Sequence, residues 1–225
     1  MKGLLSIIIP TLNEQSCIAA TLQTLHPLRQ QGHEIIVVDG GSQDNTYSLA
    51  QQGADKVLHC HPAGRALQMN AGVRAARGQL LLFLHADTQL PPQADQLIFA
   101  ALTQGQWGRF NVRLSGSAVL LRLIERLMNW RSCFSGIATG DQAMFMQRSV
   151  YLQVQGFPEI PLMEDVAMSR HLRQISPPVC LRAQVITSSR RWEQGGIIRT
   201  IFLMWGLRCA YALGVKPHWL KKCYD

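Results

Sequence analysis

Acidic side chains stand directly after apolar segments, or at the start of a helical one, at three places in this sequence. Asp39 and Asp87 each follow a run of aliphatic residues, and the pair Glu164-Asp165 begins a stretch with helical periodicity. A carboxylate at the mouth of a buried strand must be hydrated, paired or bound to a metal ion. A carboxylate can also take a proton from a hydroxyl group as a general base. These residues therefore predict metal binding and acid–base chemistry.

Apolar runs of strand length alternate with segments of helical length from the first residues onward. The pattern predicts strands at 4–9, 34–38, 56–61 and 80–84, and helices at 15–28, 46–52, 64–76 and 92–103. Beyond Gly105 it predicts strands at 107–114, 143–147 and 179–187, and helices at 118–130, 164–175 and 195–213. Such alternation is typical of an α/β fold in three layers, with a mostly parallel central sheet covered on both faces. Ligands of these sheets bind at the carboxyl edge of the strands.

The turn after the first strand carries polar groups that suit a nucleobase or a ribose. Pro10, Thr11, Asn13 and Glu14 follow the apolar run directly. Asn13 and Glu14 are also ordinary residues at the start of a helix, so this turn alone favours a helix cap. Asp39, at the end of the second strand, can accept hydrogen bonds from a base or ribose. The two strand ends together favour a nucleotide site.

Seven motifs follow one another in a recognisable order. They are Pro10-Thr11-x-Asn13-Glu14, Asp39-x-Gly41-Ser42-x-Asp44-x-Thr46, Gly64-Arg65-x-x-Gln68-x-Asn70-x-Gly72, His85-Ala86-Asp87, Gly140-Asp141-Gln142, Glu164-Asp165 and Arg190-Arg191-Trp192. In this order, over most of the chain, they resemble the family 2 glycosyltransferases, which have the GT-A fold, a Rossmann-like α/β/α architecture. The compact form resembles a small branch sometimes linked to arsenosugar biosynthesis. The resemblance implies transfer of a sugar from a nucleotide-sugar donor to an acceptor.

The resemblance also implies a donor site. It assigns Asp39 to the uracil or its equivalent, although Gly40 stands where the family usually has a second Asp. It places the helix that carries Arg65 in the donor site, while Ser42 shapes the neighbouring loop. The implied donor-binding residues are Pro10, Thr11, Asn13, Glu14, Asp39, Ser42, Arg65, Gln68, Asn70, His85 and Ala86.

The metal ion and the general base are implied in the same way. The family usually has Asp-x-Asp where this chain has His85-Ala86-Asp87, so Asp87 is the expected ligand of Mg²⁺ or Mn²⁺ and His85 a weaker candidate. Hard cations suit carboxylate and diphosphate oxygens. Asp165 is the expected catalytic base of an inverting enzyme. The expected acceptor or diphosphate contacts are Asp141, Gln142, Glu164, Arg191 and Trp192.

The net charge and the apolar C-terminal segment indicate which kinds of binding partner suit the protein. The net charge is +8, but the basic residues are scattered, which does not predict nucleic-acid binding. A nucleoside diphosphate and an anionic membrane surface both suit that charge. The apolar segment 197–213 contains Arg199 and Arg208, so it predicts a helix packed on the domain or lying at a membrane interface rather than a span.

The chain length suits one domain, 1–225, with a donor half at 1–104, an acceptor half at 105–193 and an amphipathic helical segment at 194–225. We predict a cytoplasmic enzyme with reduced thiols, peripheral to the membrane if the last segment binds it. A nucleotidyltransferase and a non-catalytic nucleotide-sugar-binding protein remain alternatives. The identity of the sugar, the small-molecule or lipid acceptor and the oligomeric state stay open.

Overall fold

The computed structural model describes residues 3–224. One mixed sheet holds eight strands in the order β3-β2-β1-β4-β7-β6-β8-β5. The strands are β1 Leu5–Thr11, β2 Glu34–Asp39, β3 Lys56–His59, β4 Leu80–Phe83, β5 Thr88–Gln89, β6 Trp107–Leu114, β7 Phe145–Gln147 and β8 Val179–Thr187. The α-helices are α1 Ile18–Gln30, α2 Thr46–Gln51, α3 Arg65–Ala75, α4 Ala94–Gln104, α5 Val119–Ser135, α6 Arg148–Gln153, α7 Glu164–Ile175, α8 Arg190–Gln194, α9 Ile197–Ala212 and α10 Pro217–Tyr224.

The aliphatic strands divide their side chains between two cores, one on each face of the sheet. Ile7 and Ile9 of β1 pack under α1, α2 and α4, whereas Ile8 packs with α3, α6 and α7. Successive side chains of a strand point to opposite faces, so an uninterrupted aliphatic run requires cover on both. This arrangement confirms the three-layer α/β/α fold.

The carboxyl ends of three strands meet at one edge of the sheet. β1 is parallel to β2 on one side and to β4 on the other, with Ile7 opposite Ile35 and Leu82. The chain order reverses between these neighbours, which creates the crevice where α/β sheets bind ligands. The loops after β1, β2 and β4 carry the predicted site residues to that crevice.

The second half of the sheet is mixed. β7 is antiparallel to β4 and β6, and β5 is antiparallel to β8, while β6 and β8 are parallel. The parallel sheet therefore dominates only in the half formed by β1 to β4. The structure also contains β5, α6, α8 and α10, which the apolar pattern did not predict because each is short.

The expectation of fully reduced thiols is wrong for one pair. Cys133, near the end of α5, forms a disulfide with Cys180 of β8, with a Cα–Cα distance of 5.9 Å. Cys17, Cys60, Cys209 and Cys223 are free thiols. Within residues 3–224, no helix has both the length and the apolar character needed to cross a membrane.

Candidate active site

A cleft of about 530 Å³ opens at the carboxyl edge of the sheet. Its inner wall comes from the ends of β1 and β4 and the start of α3, with Pro10, Glu14, Arg65, Ala86 and Asp87. Its outer wall comes from α5, α9 and the segment around α8. Eleven of the predicted site residues line it: Pro10, Glu14, Arg65, His85, Ala86, Asp87, Asp141, Glu164, Asp165, Arg191 and Trp192. The structure therefore brings together residues that lie far apart in the sequence.

Three carboxylates and one guanidinium form the electrostatic centre of the cleft. Burial would lower the pKa of Arg65, but the nearby Tyr224 and the carboxylates Glu164, Asp141 and Asp165 outweigh it and raise that pKa. Burial raises the pKa of Glu164, and the charge of Asp165 raises it further. Glu164 is 6% exposed. The Glu164 carboxyl is therefore protonated more readily than an exposed one.

Asp165 is held by backbone amides at the start of α7. Its Oδ2 accepts a hydrogen bond from the Gly140 N–H at 3.0 Å, and its Oδ1 accepts one from the Val166 N–H at 2.7 Å. Met163 precedes the helix with a φ of 68°. These contacts fix the carboxylate at the cleft wall, with lone pairs left to accept a proton.

His85 and Asp141 form a second polar pair in the cleft. The His85 Nδ1 lies 3.3 Å from Asp141 Oδ1. Burial alone would raise the pKa of Asp141, but its bond to His85 and the charges of His85, Arg65 and Arg208 hold that pKa below its ordinary value. A Cβ added at Gly140 would collide with the His85 ring. A glycine is therefore needed for this close approach.

Asp87 has the chemistry of a ligand for a hard cation. Its closest side-chain partner in the described part of the chain is the Thr88 hydroxyl, at 3.4 Å, and no Lys or Arg there lies within ion-pair distance. Residues 3–224 contain no cluster of three His, Cys, Asp or Glu placed as a complete metal site. A single carboxylate at the cleft suits Mg²⁺ or Mn²⁺ when a diphosphate supplies the remaining oxygens.

The segment around α8 crosses one side of the cleft. Arg190 Nη2 lies 3.6 Å from Glu14 Oε2. Arg191 donates to the Tyr224 carbonyl oxygen at 3.1 Å, and its guanidinium lies 3.5 Å from the centre of the Tyr224 ring. Trp192 packs against the small apolar cluster formed by β6 and α5. These contacts join the β1 loop to the C-terminal helix across the cleft.

The Asp39 carboxylate accepts hydrogen bonds from Thr11 and from the loop that follows Asp39. Its Oδ1 accepts the Thr11 and Ser42 hydroxyls, and its Oδ2 accepts the Gly41 and Ser42 amides, both at 2.9 Å. A carboxylate has about four lone-pair positions, and all four are used. Asp39 is 1% exposed and does not line the cleft. Its geometry suits shaping of the loop that would hold a base.

Six other predicted residues serve the scaffold rather than the cleft surface. Gln68 donates to the carbonyl oxygens of Thr11 and Val38, at 2.7 and 2.8 Å, and so joins the ends of β1 and β2. Asn70 bonds Tyr151 and Phe157. Gln142 is fully buried. Their amides satisfy buried backbone groups, which would otherwise cost stability. The residues concerned are Thr11, Asn13, Ser42, Gln68, Asn70 and Gln142.

Asn13 and Ser42 join the loop after β1 to the loop after β2. The Asn13 N–H donates to the Ser42 hydroxyl at 2.8 Å, and the Gln43 N–H donates to the Asn13 side-chain oxygen at 2.8 Å. Asn13 has a φ of 56°, in the region where Asn is tolerated. The β1 and β2 loops are thus bonded to each other.

A group of cleft residues on α5 and α9 was not predicted from the sequence. Arg131 and Arg208 line its polar part, and Leu127, Trp130 and Trp205 line its apolar part. The signal was present as apolar residues every three or four positions on both helices, but that pattern is also typical of core packing.

The chain belongs to the Glycosyl transferase family 2, whose family model matches residues 6–148. It is 30% identical over 112 residues to an undecaprenyl-phosphate 4-deoxy-4-formamido-L-arabinose transferase of Aeromonas hydrophila, covering 45% of this chain and 34% of that protein. It is 37% identical over 107 residues to a PGL/p-HBAD biosynthesis glycosyltransferase of Mycobacterium bovis, covering 45% and 41%. The chain thus spans less than half the length of these relatives.

Solved structures show the same fold at low identity. A mannosyltransferase from Pyrobaculum calidifontis, in complex with GDP-Man and Mn²⁺, superposes with a TM-score of 0.69 at 19% identity, over 100% of this chain and 65% of that one. Staphylococcus aureus TarS in complex with UDP superposes with a TM-score of 0.65 at 17% identity, over 82% of this chain and 60% of that one. The fold is therefore that of GT-A glycosyltransferases.

Proposed function

We propose that the protein transfers a sugar from a nucleoside-diphosphate donor, with metal assistance and inversion at the anomeric carbon. The observation that carries this proposal is that Asp87, which follows β4, and Asp165, in the first turn of α7, line one cleft. Asp87 suits the metal and the donor side, and Asp165 suits the base and the acceptor side. The same cleft contains Arg65 and Arg191, whose charges suit a diphosphate.

The donor is proposed to be a UDP-sugar. The TarS structure holds UDP, whereas the mannosyltransferase structure holds GDP-Man, so the base needs a direct test. In this chain, Asp39 accepts three hydrogen bonds from Gly41 and Ser42 of the loop 40–43 and a fourth from Thr11 of β1. We assign Asp39 a positioning role in base recognition, which acts through that loop.

The metal is proposed to be Mg²⁺ or Mn²⁺ on Asp87, with His85 nearby. Such an ion neutralises the charge of a nucleoside diphosphate as it departs. Mn²⁺ is present in the mannosyltransferase complex. The pairing of His85 with Asp141 keeps the imidazole at the cleft and turned toward a carboxylate.

Asp165 is proposed to act as the general base. An acceptor hydroxyl gives its proton to the Asp165 carboxylate while its oxygen forms a bond to the anomeric carbon. The bond from that carbon to the diphosphate oxygen breaks in the same displacement, and the configuration inverts. The amides of Gly140 and Val166 hold the carboxylate in place, which limits the loss of orientation during the step. Glu164, with its raised pKa, tunes Asp165 or donates a hydrogen bond to the acceptor.

The acceptor is proposed to be a small molecule or a lipid that enters from the outer wall. Residues 1–104 then form the donor half of one domain, 105–193 the acceptor half, and 194–225 the wall beyond it. We place the enzyme in the cytoplasm, in peripheral contact with a membrane through that last segment, with the Cys133–Cys180 disulfide as an exception to the reduced thiols of that compartment.

The test is a donor screen that measures nucleoside diphosphate release with and without Mn²⁺. Transferases of this kind can hydrolyse their donor slowly, so the screen needs no acceptor. We expect Mn²⁺-dependent release of UDP from at least one UDP-sugar, and a product sugar of inverted configuration by NMR. Release of pyrophosphate from nucleoside triphosphates instead would favour a nucleotidyltransferase. Absence of any release, with intact donor binding, would favour a non-catalytic binding protein.

A further inference from the structure

Two helices at the outer wall expose apolar stripes. The stripe on α5 consists of Val119, Leu123, Leu127, Trp130 and Phe134, which recur every three or four residues. The stripe on α9 consists of Ile198, Phe202, Trp205 and Leu213, the last just after the helix end. Such spacing places the residues on one side of each helix. We call these nine residues the apolar surface.

The apolar surface is continuous with the cleft. Leu127, Trp130 and Trp205 belong to both. Beneath the surface, Ile201 of α9 packs into the small cluster that contains Leu121 and Ile124 of α5, so the two helices are neighbours. An apolar molecule lying on this surface can therefore extend into the acceptor side of the cleft.

The charge around the apolar surface suits an anionic partner. Residues 195–224 contain five basic side chains and no acidic one. On α5 the acidic Glu125 is buried and paired with Arg122 at 3.2 Å. A second copy of the same surface would bring like charges together, whereas anionic lipid headgroups complement them. Exposed Trp with flanking Lys and Arg is typical of helices that lie in a membrane interface.

Two guanidiniums without protein acceptors stand where the apolar surface meets the cleft. Arg131 of α5 and Arg208 of α9 both line the cleft, and neither forms a hydrogen bond or an ion pair through its guanidinium within residues 3–224. Burial lowers the pKa of Arg131 to about 10, and the neighbouring charge of Arg208 lowers it too, against the opposing charge of Asp165. Two neighbouring guanidiniums with no hydrogen-bond acceptor among residues 3–224 suit an anion such as phosphate.

We propose that the apolar surface docks on an anionic lipid bilayer, and that Arg131 and Arg208 bind the phosphate of a lipid acceptor whose hydrocarbon part lies between α5 and α9. The role of the lipid as sugar acceptor rests on the proposed transferase function, whereas the binding of the lipid phosphate does not. The proposed donor residues come from β1, β4 and α3, whereas Arg131 and Arg208 come from α5 and α9, so the proposal places the lipid phosphate and the donor diphosphate on different walls of the cleft.

The first experiment measures sedimentation with vesicles of phosphatidylcholine, with and without phosphatidylglycerol. We expect binding to the anionic vesicles and a blue shift of Trp emission. Phe134→Ser and Phe202→Ser change side chains that are 83% and 71% exposed and do not line the cleft. Each should weaken partitioning by on the order of tenfold, since a buried Phe contributes apolar transfer energy. Leu152→Ser, on the exposed face of α6, is the matched control and should change nothing.

The second experiment measures calorimetric binding of dodecyl phosphate, dodecanol and inorganic phosphate. We expect dodecyl phosphate to bind most tightly, because it combines a phosphate group with a hydrocarbon chain. Arg131→Gln and Arg208→Gln should each weaken it by about tenfold or more and leave UDP affinity unchanged. Arg113→Gln, an exposed cation on β6, is the matched control. Thermal denaturation checks folding, and Arg131→Lys should retain part of the binding.

Three outcomes overturn the proposal. Loss of UDP affinity in Arg131→Gln or Arg208→Gln would move the pair to the donor diphosphate. A dimer that Phe134→Ser dissociates, measured by light scattering, would assign the apolar surface to a second copy. Equal binding to neutral and anionic vesicles in all variants would remove the docking surface. Donor hydrolysis is measured separately, so failure of lipid binding with intact hydrolysis overturns this inference alone, and loss of hydrolysis alone overturns the proposed function.

Discussion

Replacing Asp165 with asparagine should separate chemistry from donor binding. The carboxylate accepts two backbone hydrogen bonds, from Gly140 at 3.0 Å and from Val166 at 2.7 Å. Asparagine supplies one oxygen, so one amide loses its acceptor. That loss costs about 1–2 kcal/mol, because the contacts are partly buried. For a chain of this length, it lowers the melting temperature by roughly 2–8 °C.

The catalytic effect should be much larger than this structural one. An asparagine cannot accept the proton from the attacking oxygen, and general base catalysis contributes about 10²–10⁴-fold. Donor hydrolysis under saturating UDP-sugar should therefore fall by that order, while the dissociation constant for UDP changes little. Glu164→Gln should reduce turnover less, since Glu164 acts on Asp165 or on the acceptor.

The matched control is Asp55→Asn at the opposite edge of the sheet. Asp55 accepts a hydrogen bond from the Ile35 N–H at 2.8 Å and one from Arg29 at 2.7 Å, so the substitution also removes one acceptor. It should lower the melting temperature by a comparable amount and leave turnover unchanged. Near-normal hydrolysis in Asp165→Asn would refute the base assignment, and loss of UDP binding would move Asp165 to the donor side.

Three further predictions follow from contacts at and below the site. Gly140→Ala should displace the His85 ring and lower turnover by on the order of tenfold or more with an unchanged circular dichroism spectrum, because a Cβ there has no room. Calorimetry should show that UDP binds more tightly than ADP. Asp39→Ala should lower the affinity for UDP by about tenfold or more, because it releases the loop that Asp39 holds. Equal affinities of wild type for UDP and ADP would contradict the assignment. The pKa of Glu34 is lowered from 4.5 to about 2 by its bonds with Arg77, Ser6 and Lys56, which outweigh burial. Glu34 therefore stabilises the folded state above pH 4.5, and this contribution to the free energy of unfolding is lost as the pH falls toward 2. Denaturant titrations of wild type should show a loss of about 3 kcal/mol over this range, and titrations of Glu34→Gln should not show it.

The parallel half of the fold could be predicted because its signals are local. Each aliphatic run of β1, β2 and β4 is buried on both faces, and such runs are typical of parallel strands. The antiparallel pairing of β7 between β4 and β6 depends on contacts distant in sequence, which no periodicity encodes. Short elements such as β5 and α8 contain too few residues to show a period.

The site could be predicted by residue type but not by orientation. Asp87 and Asp165 line the cleft as expected, whereas Gln68 and Asn70 turn inward to satisfy backbone groups. The same amide chemistry serves a ligand or a carbonyl oxygen, and only the tertiary structure decides which one is near. The α9 part of the apolar surface was anticipated as a helix packed on the domain or at a membrane interface, but the α5 part was not, since a stripe on a helix predicts burial without identifying the partner.

Binding of UDP measured by calorimetry, with and without Mn²⁺, tests the central assignment of the cleft most directly. Wild type should bind UDP much more tightly with Mn²⁺ present, because an ion held by Asp87 would offset the negative charge of the diphosphate. Asp87→Ala should lose that enhancement and keep its circular dichroism spectrum, and Asp55→Ala should retain it. Unchanged Mn²⁺-dependent affinity in Asp87→Ala would contradict the account.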